Sequence, residues 1–280
     1  MSTDTWNDAV AQTSQRPQSR RVVTRVRAFL THLALSSAVV GAACAVIFFV
    51  WYPYPYFHAA GAWNVLRVLI GVDLVLGPLL TLIVFKPGKR WLMADMSIIA
   101  LVQIAALVYG LTVIYRERPF FVVFAVDRFV LLAKADVDGA KLAEAWAAGR
   151  IDAKPPRGPL LVIANRPTDL EGLQRLIDET VFGGQPDIER RPEYWQRFGD
   201  EGARVSARTR PLTALRAARP DAAAEIAAFA ARLGQTEDQV RFLPLSAKNR
   251  DVAVIVDSAT GAPIDVVDVD PWIDSAPPTP

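Results

Sequence analysis

Asp73 stands between Val72 and Leu74 in a long apolar run, and four residues later the chain reads Gly77-Pro78. A carboxylate several turns inside a membrane-length helix is costly, and it faces protein, water or a partner rather than lipid. Three uses are open: a hydrogen bond to Ser36, Ser37 or Gln103 within a helical bundle, a contact with a partner's helix, or a place on a proton or ion path. Arg67 lies six residues earlier, about 240° around a helix of 3.6 residues per turn, so it is not the natural counter-ion. Its long side chain is expected to snorkel to the membrane surface. Gly77-Pro78 is expected to kink the helix or loosen its backbone bonding. Either this adjusts internal packing, or it opens a groove where another helix docks.

Groups that enzymes use are missing from the C-terminal half. His32 and His58 are the only histidines and Cys44 is the only cysteine, and all three precede residue 116. That removes Ser–His and Cys–His nucleophiles, His or Cys zinc sites and disulfides from residues 116–280. No GxxxxGK[ST] or GxGxxG phosphate loop is present. The run Asp265, Asp268, Asp270 and Asp274 could hold a cation, since hard ions take clustered oxygens. Along a strand, however, Asp265 faces away from Asp268 and Asp270, which favours a charged, protected sheet edge. A membrane enzyme would need carboxylate-only chemistry such as a glycosidase pair, and no spacing marks one. Neither enzymatic activity nor a cofactor or metal is expected.

The elements that hold Asp73 are apolar spans. No Asp, Glu, Lys or Arg occurs between Arg27 and Arg67, or from Met96 to Tyr115. Segments 28–52, 64–85 and 91–115 are each near or above the roughly 20 residues that cross about 30 Å of hydrocarbon. A secretory signal is the competing reading of the first segment, and Gly41-Ala42-Ala43-Cys44 resembles a lipoprotein cleavage box. Ala45 to Trp51 prolong the apolar run, which favours a retained anchor. Arg16, Arg20, Arg21, Arg25 and Arg27 precede span one, and Lys86, Lys89 and Arg90 fill the turn after span two. Lys and Arg in short flanks stay cytoplasmic, so the N-terminus is expected inside and everything beyond span three outside. Arg116 and Arg118 oppose this count. Trp51, Tyr52, Tyr54, Tyr56, Phe57 and Trp63 cluster between spans one and two, where amphipathic rings favour the headgroup level. The prolines make this loop stiff. It serves as an interface anchor or as a contact for a partner through Tyr54 and Tyr56.

Residues 1–115 carry nine basic and four acidic side chains, and residues 116–280 carry twenty-two and twenty-five. The exterior part is therefore close to neutral and offers no support for nucleic-acid binding. Its 165 residues suffice for one packed core or two small ones. Phe120 to Leu132 reads as a strand or strand pair, Gly139 to Ala148 as a helix and Leu160 to Ala164 as a buried strand. Thr168 to Phe182 reads as an amphipathic helix begun by Thr168 with Glu171 three residues on. Leu212 to Leu233 reads as a helix interrupted by Pro220. Val240 to Leu245, Val252 to Val256 and Ile264 to Val269 complete an antiparallel end. Residues 183–207 read as irregular, with Tyr194, Trp195 and Phe198 either core or binding face. Residues 1–15 and 275–280 are expected to be disordered.

The fold class is therefore a membrane α-helical anchor of three transmembrane helices plus a C-terminal soluble α/β or α+β domain with a mixed sheet. Its expected parts are a basic cytoplasmic segment 1–27, a transmembrane region 28–115, an exterior domain 116–274 and a tail 275–280.

Four stretches resemble the type IV pilin accessory proteins of the TfpX/TfpZ family. They are Phe48-Phe49-Val50-Trp51-Tyr52-Pro53-Tyr54-Pro55-Tyr56-Phe57, the run Val72 to Phe85, Ala125-Val126-Asp127-Arg128-Phe129, and the closing hairpin through Asp270-Pro271-Trp272. The resemblance is close over residues 25–135 and loose beyond. It implies a non-enzymatic, chaperone-like factor of the bacterial inner membrane with a periplasmic C-terminal domain, supporting pilin stability and pilus assembly. Its implied partners are type IV pilin, through both transmembrane helix and globular head, and membrane lipid. The expected partner-binding residues are Asp73, Gly77, Pro78, Tyr54 and Tyr56. The alternative is a membrane-anchored periplasmic sensor or regulator that binds a ligand or a cell-wall component.

Overall fold

A computed structural model describes residues 4–52, 54–57, 59–155 and 157–273. The expected C-terminal tail lies outside the described residues. The chain forms two units: Met1–Val46 with Asn64–Ile114, and Ile47–Trp63 with Tyr115–Pro280.

The first unit is helical. Helix α1 (Asp4–Val46) passes into a π-helical turn at Ile47–Trp51. Residues from Asp4 on, expected from composition to be disordered, are thus helical. Once a helix is nucleated, each added residue gains a backbone bond. Helix α2 (Ala62–Ile70) continues through a π segment, Gly71–Leu76, into α3 (Gly77–Val84), and α4 spans Leu92–Arg116. The stretches Val22–Trp51, Ala62–Val84 and Leu92–Arg116 are long and apolar enough to cross a membrane. Side chains such as Leu101, Ile104, Val108 and Tyr109 remain exposed, as a lipid-facing surface requires. Gly110 admits the Leu69 side chain to within 3.1 Å of where a Cβ would stand, so α2 and α4 approach closely.

The irregularity expected at Gly77-Pro78 appears one turn earlier. Pro78 has no N–H to donate, and its ring crowds the carbonyl four residues back. The π turn widens the helix there, and the Gly77 N–H donates to the Val72 carbonyl, five residues away. Asp73 sits inside this widened turn.

The second unit is built on an eight-stranded mixed sheet. Its strands are β1 (Pro119–Ala125), β2 (Arg128–Ala133), β3 (Leu160–Ala164), β4 (Trp195–Arg197), β5 (Arg210–Pro211), β6 (Arg241–Ser246), β7 (Val252–Val256) and β8 (Pro263–Val267). The order is β4-β3-β1-β2-β6-β7-β8, with β5 paired to β6. β1 runs parallel to β3 and β2 parallel to β6, and the remaining pairs are antiparallel. Pro244 is tolerated within β6 because β2 pairs only at Leu245 and Ser246 and β5 only at Arg241 and Phe242.

Every residue of β1 is buried, which explains its unbroken apolar sequence. Phe121, Val123 and Ala125 pack toward α5 (Gly139–Ala147) and α6 (Leu170–Val181), with Leu142, Ala145, Leu176 and Trp195. Val122 and Phe124 point the other way, into a cluster with Phe129, Ile163, Phe198 and Val205 of α7 (Gly202–Ser206). Tyr56 and Ala59 belong to that second cluster. The aromatic loop between spans one and two is therefore, at Tyr56 and Ala59, part of the sheet's covering. Burying Tyr56 against the sheet face removes its ring from water. α8 (Leu212–Ala218) and α9 (Ala223–Arg232), separated by a turn at Pro220, cover β6, β7 and β8 through Leu215, Ile226 and Phe229.

Two local details differ from expectation. α6 is capped by Asp169, whose carboxylate accepts from the Gly172 N–H at 2.7 Å, and not by Thr168. Glu171 consequently pairs with Arg175 at 3.0 Å and closes no capping box. Within the stretch read as irregular, Trp195 to Arg197 form an edge strand against β3, and Trp195 is fully buried beside the Phe121 ring at 4.8 Å. Truncating Trp195 to Ala is expected to cost about 3–5 kcal/mol, read by chemical denaturation. Phe182→Ala, at a residue 82% exposed, is expected to change stability by less than about 0.5 kcal/mol.

Candidate functional site

The widened turn of span two carries a polar seam through the first unit. Asp73 is 5% exposed and Thr81 is 3% exposed. His32 Nδ1 and Thr81 Oγ1 lie 2.6 Å apart, which links spans one and two. Gln103 Nε2 on α4 is 3.5 Å from both the Asp73 carboxylate and the Asp73 carbonyl. Of the three partners expected for Asp73, Gln103 meets it, Ser36 is buried beside the same cavity and Ser37 is exposed. Gly77 and Pro78 are buried. A Cβ at Gly77 would overlap the Gln103 side-chain amide, so the missing side chain of Gly77 is what lets Gln103 reach Asp73. Arg67 is exposed and donates to Asn64 Oδ1 at 2.6 Å, away from Asp73 as the helical angle required.

Next to this seam is a cavity of about 230 Å³ between spans one and three. Leu35, Val39, Ala100 and Ile104 supply apolar walls, and His32, Ser36, Asp73 and Gln103 supply the polar groups. Its walls suit an apolar side chain, and its polar groups include several hydrogen-bond acceptors, the Asp73 carboxylate among them. His32 and Thr81 were missed as members of the site. The available signal was spacing, since His32 and Ser36 are four apart, as are Asp73, Gly77 and Thr81 in succession, and such residues share a helix face.

Tyr54 and Tyr56 lie in the second unit and are not alike. Tyr54 is 71% exposed, and its hydroxyl donates to Asp265. Partial burial, then the bond to Asp265, raises its phenol above the ordinary value. Tyr56 is 8% exposed, buried in the sheet's covering, and burial raises its phenol too. Tyr54 is therefore a surface residue, and Tyr56 is a core residue of the same loop.

The aspartates of the closing hairpin are dispersed among cations. Asp268 is held by Arg250 at 2.6 and 2.7 Å, Asp270 by Arg219 at 2.7 Å, and Asp265 by Arg232 at 3.4 Å. Asp274 lies outside the described residues. No group of three or more His, Cys, Asp or Glu suited to a metal ion occurs among the described residues. The second unit also carries a cleft of about 560 Å³ between the β1–β2 turn and α6, lined by Val126, Arg128, Leu173, Ile177 and Val181. Val126, at φ 60°, holds a left-handed conformation that is strained for a β-branched residue.

Gly77→Ala is expected to push Gln103 off Asp73 and to destabilise the protein by about 1 kcal/mol, the scale of interhelical hydrogen bonds in membranes. In a Gln103→Ala background the same substitution is expected to cost nearly nothing. Thermal unfolding of the four detergent-solubilised proteins measures this coupling.

The sequence profile of the family described as fimbrial assembly protein FimB matches residues 20–61. The fimbrial assembly protein of serogroup I from Dichelobacter nodosus is 32% identical over 183 residues, covering 65% of this chain and 70% of that protein. The serogroup E1 protein of the same organism is 33% identical over the same shares. The fimbrial assembly protein of its serogroups C1 and C2 is 40% identical over 108 residues, 38% of this chain and 82% of that protein. No solved structure matches. With a third of positions identical over more than two thirds of these relatives, this chain belongs to the fimbrial assembly protein family.

Proposed function

We propose that this chain is a non-catalytic accessory factor of type IV pilus assembly, of the TfpX/TfpZ kind, that holds pilin in the bacterial inner membrane before assembly. In this reading the basic N-terminus is cytoplasmic and the sheet domain is periplasmic, following the positive flanks of span one and of the turn after span two. The cavity beside Asp73 takes side chains from the pilin's apolar transmembrane helix, and the exterior domain, with exposed Tyr54, meets the globular head. The observation that carries the membrane part is the buried acid in a widened helical turn, opening onto an apolar-walled cavity between spans one and three. π turns often mark functional positions, and ionisable groups within a bundle are rarely retained without use.

A sensor or regulator that binds a ligand through its periplasmic domain is the second reading, and the cleft of about 560 Å³ beside α6 favours it. Deletion of the gene separates the two. Loss of surface pili and lowered pilin abundance are expected for the accessory factor, whereas unchanged pilin and pili select the sensor. Asp73→Ala and Pro78→Ala proteins are expected to accumulate normally yet lose pilin in pull-downs. Full pilin recovery and normal piliation by both variants would eliminate the membrane groove.

A further inference from the structure

Span three hands the chain to the sheet domain through a cluster of cations whose acidic neighbours are all engaged elsewhere. α4 ends at Arg116 and β1 begins at Pro119. Two residues of chain reach at most about 7 Å, so Arg118 stays at the level of the headgroups, which form a layer about 5–7 Å deep on each side of the hydrocarbon.

The Phe120 ring is the centre of this cluster. The Arg118 guanidinium lies 5.6 Å from its centroid, Lys134 Nζ 5.8 Å and Lys154 Nζ 5.2 Å. Arg118 is fixed from behind: it stacks 3.7 Å over the Tyr115 ring and donates from Nη1 to the Tyr115 carbonyl at 2.7 Å. Lys154 donates to the carbonyls of Pro155 and Gly158 at 3.1 and 3.0 Å, which leaves one of its three N–H groups free. Burial, and then the charge of Arg118, lower the Lys154 ammonium below its ordinary value.

The nearest acids in sequence do not neutralise these charges. Glu117 pairs with Lys248 at 2.5 Å, Asp136 accepts from the Ala133 N–H at 2.8 Å, and Asp152 pairs with Arg197 at 3.1 Å. Among the described residues no carboxylate lies within ion-pair distance of Arg118, Lys134 or Lys154. Three like charges gathered on one ring repel one another, and the ring's quadrupole offsets only part of that cost. A monoanionic phosphate among them supplies the missing counter-charge and accepts the free N–H groups.

We propose that Arg118, Lys134 and Lys154 form a binding site for the phosphate of an anionic phospholipid, seated against Phe120 and Tyr115 at the membrane surface. A lipid fits better than free phosphate because two aromatic rings line the site and the covalent tether holds it at the acyl boundary. The site also gives a role to the positive charge after span three, which runs against the charge bias of the other flanks. It requires no particular orientation of the protein.

Native mass spectrometry of the detergent-purified full chain, mixed with phosphatidylglycerol or phosphatidylcholine, tests the site. The wild type is expected to retain phosphatidylglycerol preferentially. Each cation near an anionic lipid surface contributes about fivefold in affinity, so Lys134→Gln, at an exposed position, is expected to lower retention by about that factor. Arg118→Gln/Lys134→Gln/Lys154→Gln is expected to fall to the phosphatidylcholine level. Lys134→Arg is expected to restore retention, and Arg175→Gln on α6 to leave it unchanged. Equal retention of the two lipids by the wild type, or undiminished phosphatidylglycerol on Lys134→Gln, overturns the proposal. Displacement of the lipid by millimolar inorganic phosphate overturns the lipid assignment in favour of a free-phosphate site.

Discussion

Asp73 can cross hydrocarbon only inside a shield of other helices, and the membrane half is arranged by that need. An unsatisfied polar group in lipid costs several kcal/mol, so span one brings Ser36 and His32 alongside and span three brings Gln103. Pro78 supplies the means. By forcing a wide turn, it opens the helix around Asp73, and Gly77 leaves room for the Gln103 amide. Acid, glycine and proline form one device, because removing any of them changes what the other two can touch. The wide turn also leaves a cavity that these three spans do not fill among themselves.

The sheet domain answers a different constraint. A strand such as β1, apolar at successive positions, must be covered on both faces. Helices α5 and α6 cover one face with a few large side chains. On the other face the chain recruits Tyr56 and Ala59 from the loop between spans one and two, together with Phe198 and Val205 from the segment after β4. These recruits come from stretches with no helical or strand periodicity. Their burial is set by what the sheet lacks and not by their own pattern.

That difference decides what could be read from sequence. The three spans, the strands at Leu160 to Ala164 and Val252 to Val256 and the break at Pro220 each carry a local signal: run length, β-branched composition or a missing N–H. The structure places them where those signals pointed. Asp73 was legible for the same reason, as a charge against an apolar background. The partners of that site were less so, because His32 and Thr81 are ordinary in type and acquire meaning only when two spans align. Trp195 could be read only as core or binding face without a choice between them, and Tyr56 was not read as core at all. Their neighbours are polar or proline-rich, and only tertiary pairing, with β3 for Trp195 and with the sheet face for Tyr56, turns them inward.

The position of Tyr56 also constrains the topology. Residues 47–63 and 115–280 form one unit, yet spans two and three lie between them in the chain. A residue packed in the core of that unit must be on the same side of the membrane as the sheet, so the intervening chain must cross an even number of times. Two spans satisfy this, while a single crossing at either 62–84 or 92–116 does not. The packing of one tyrosine thus excludes a single crossing between the loop and the sheet independently of hydropathy, and spans two and three supply an even pair.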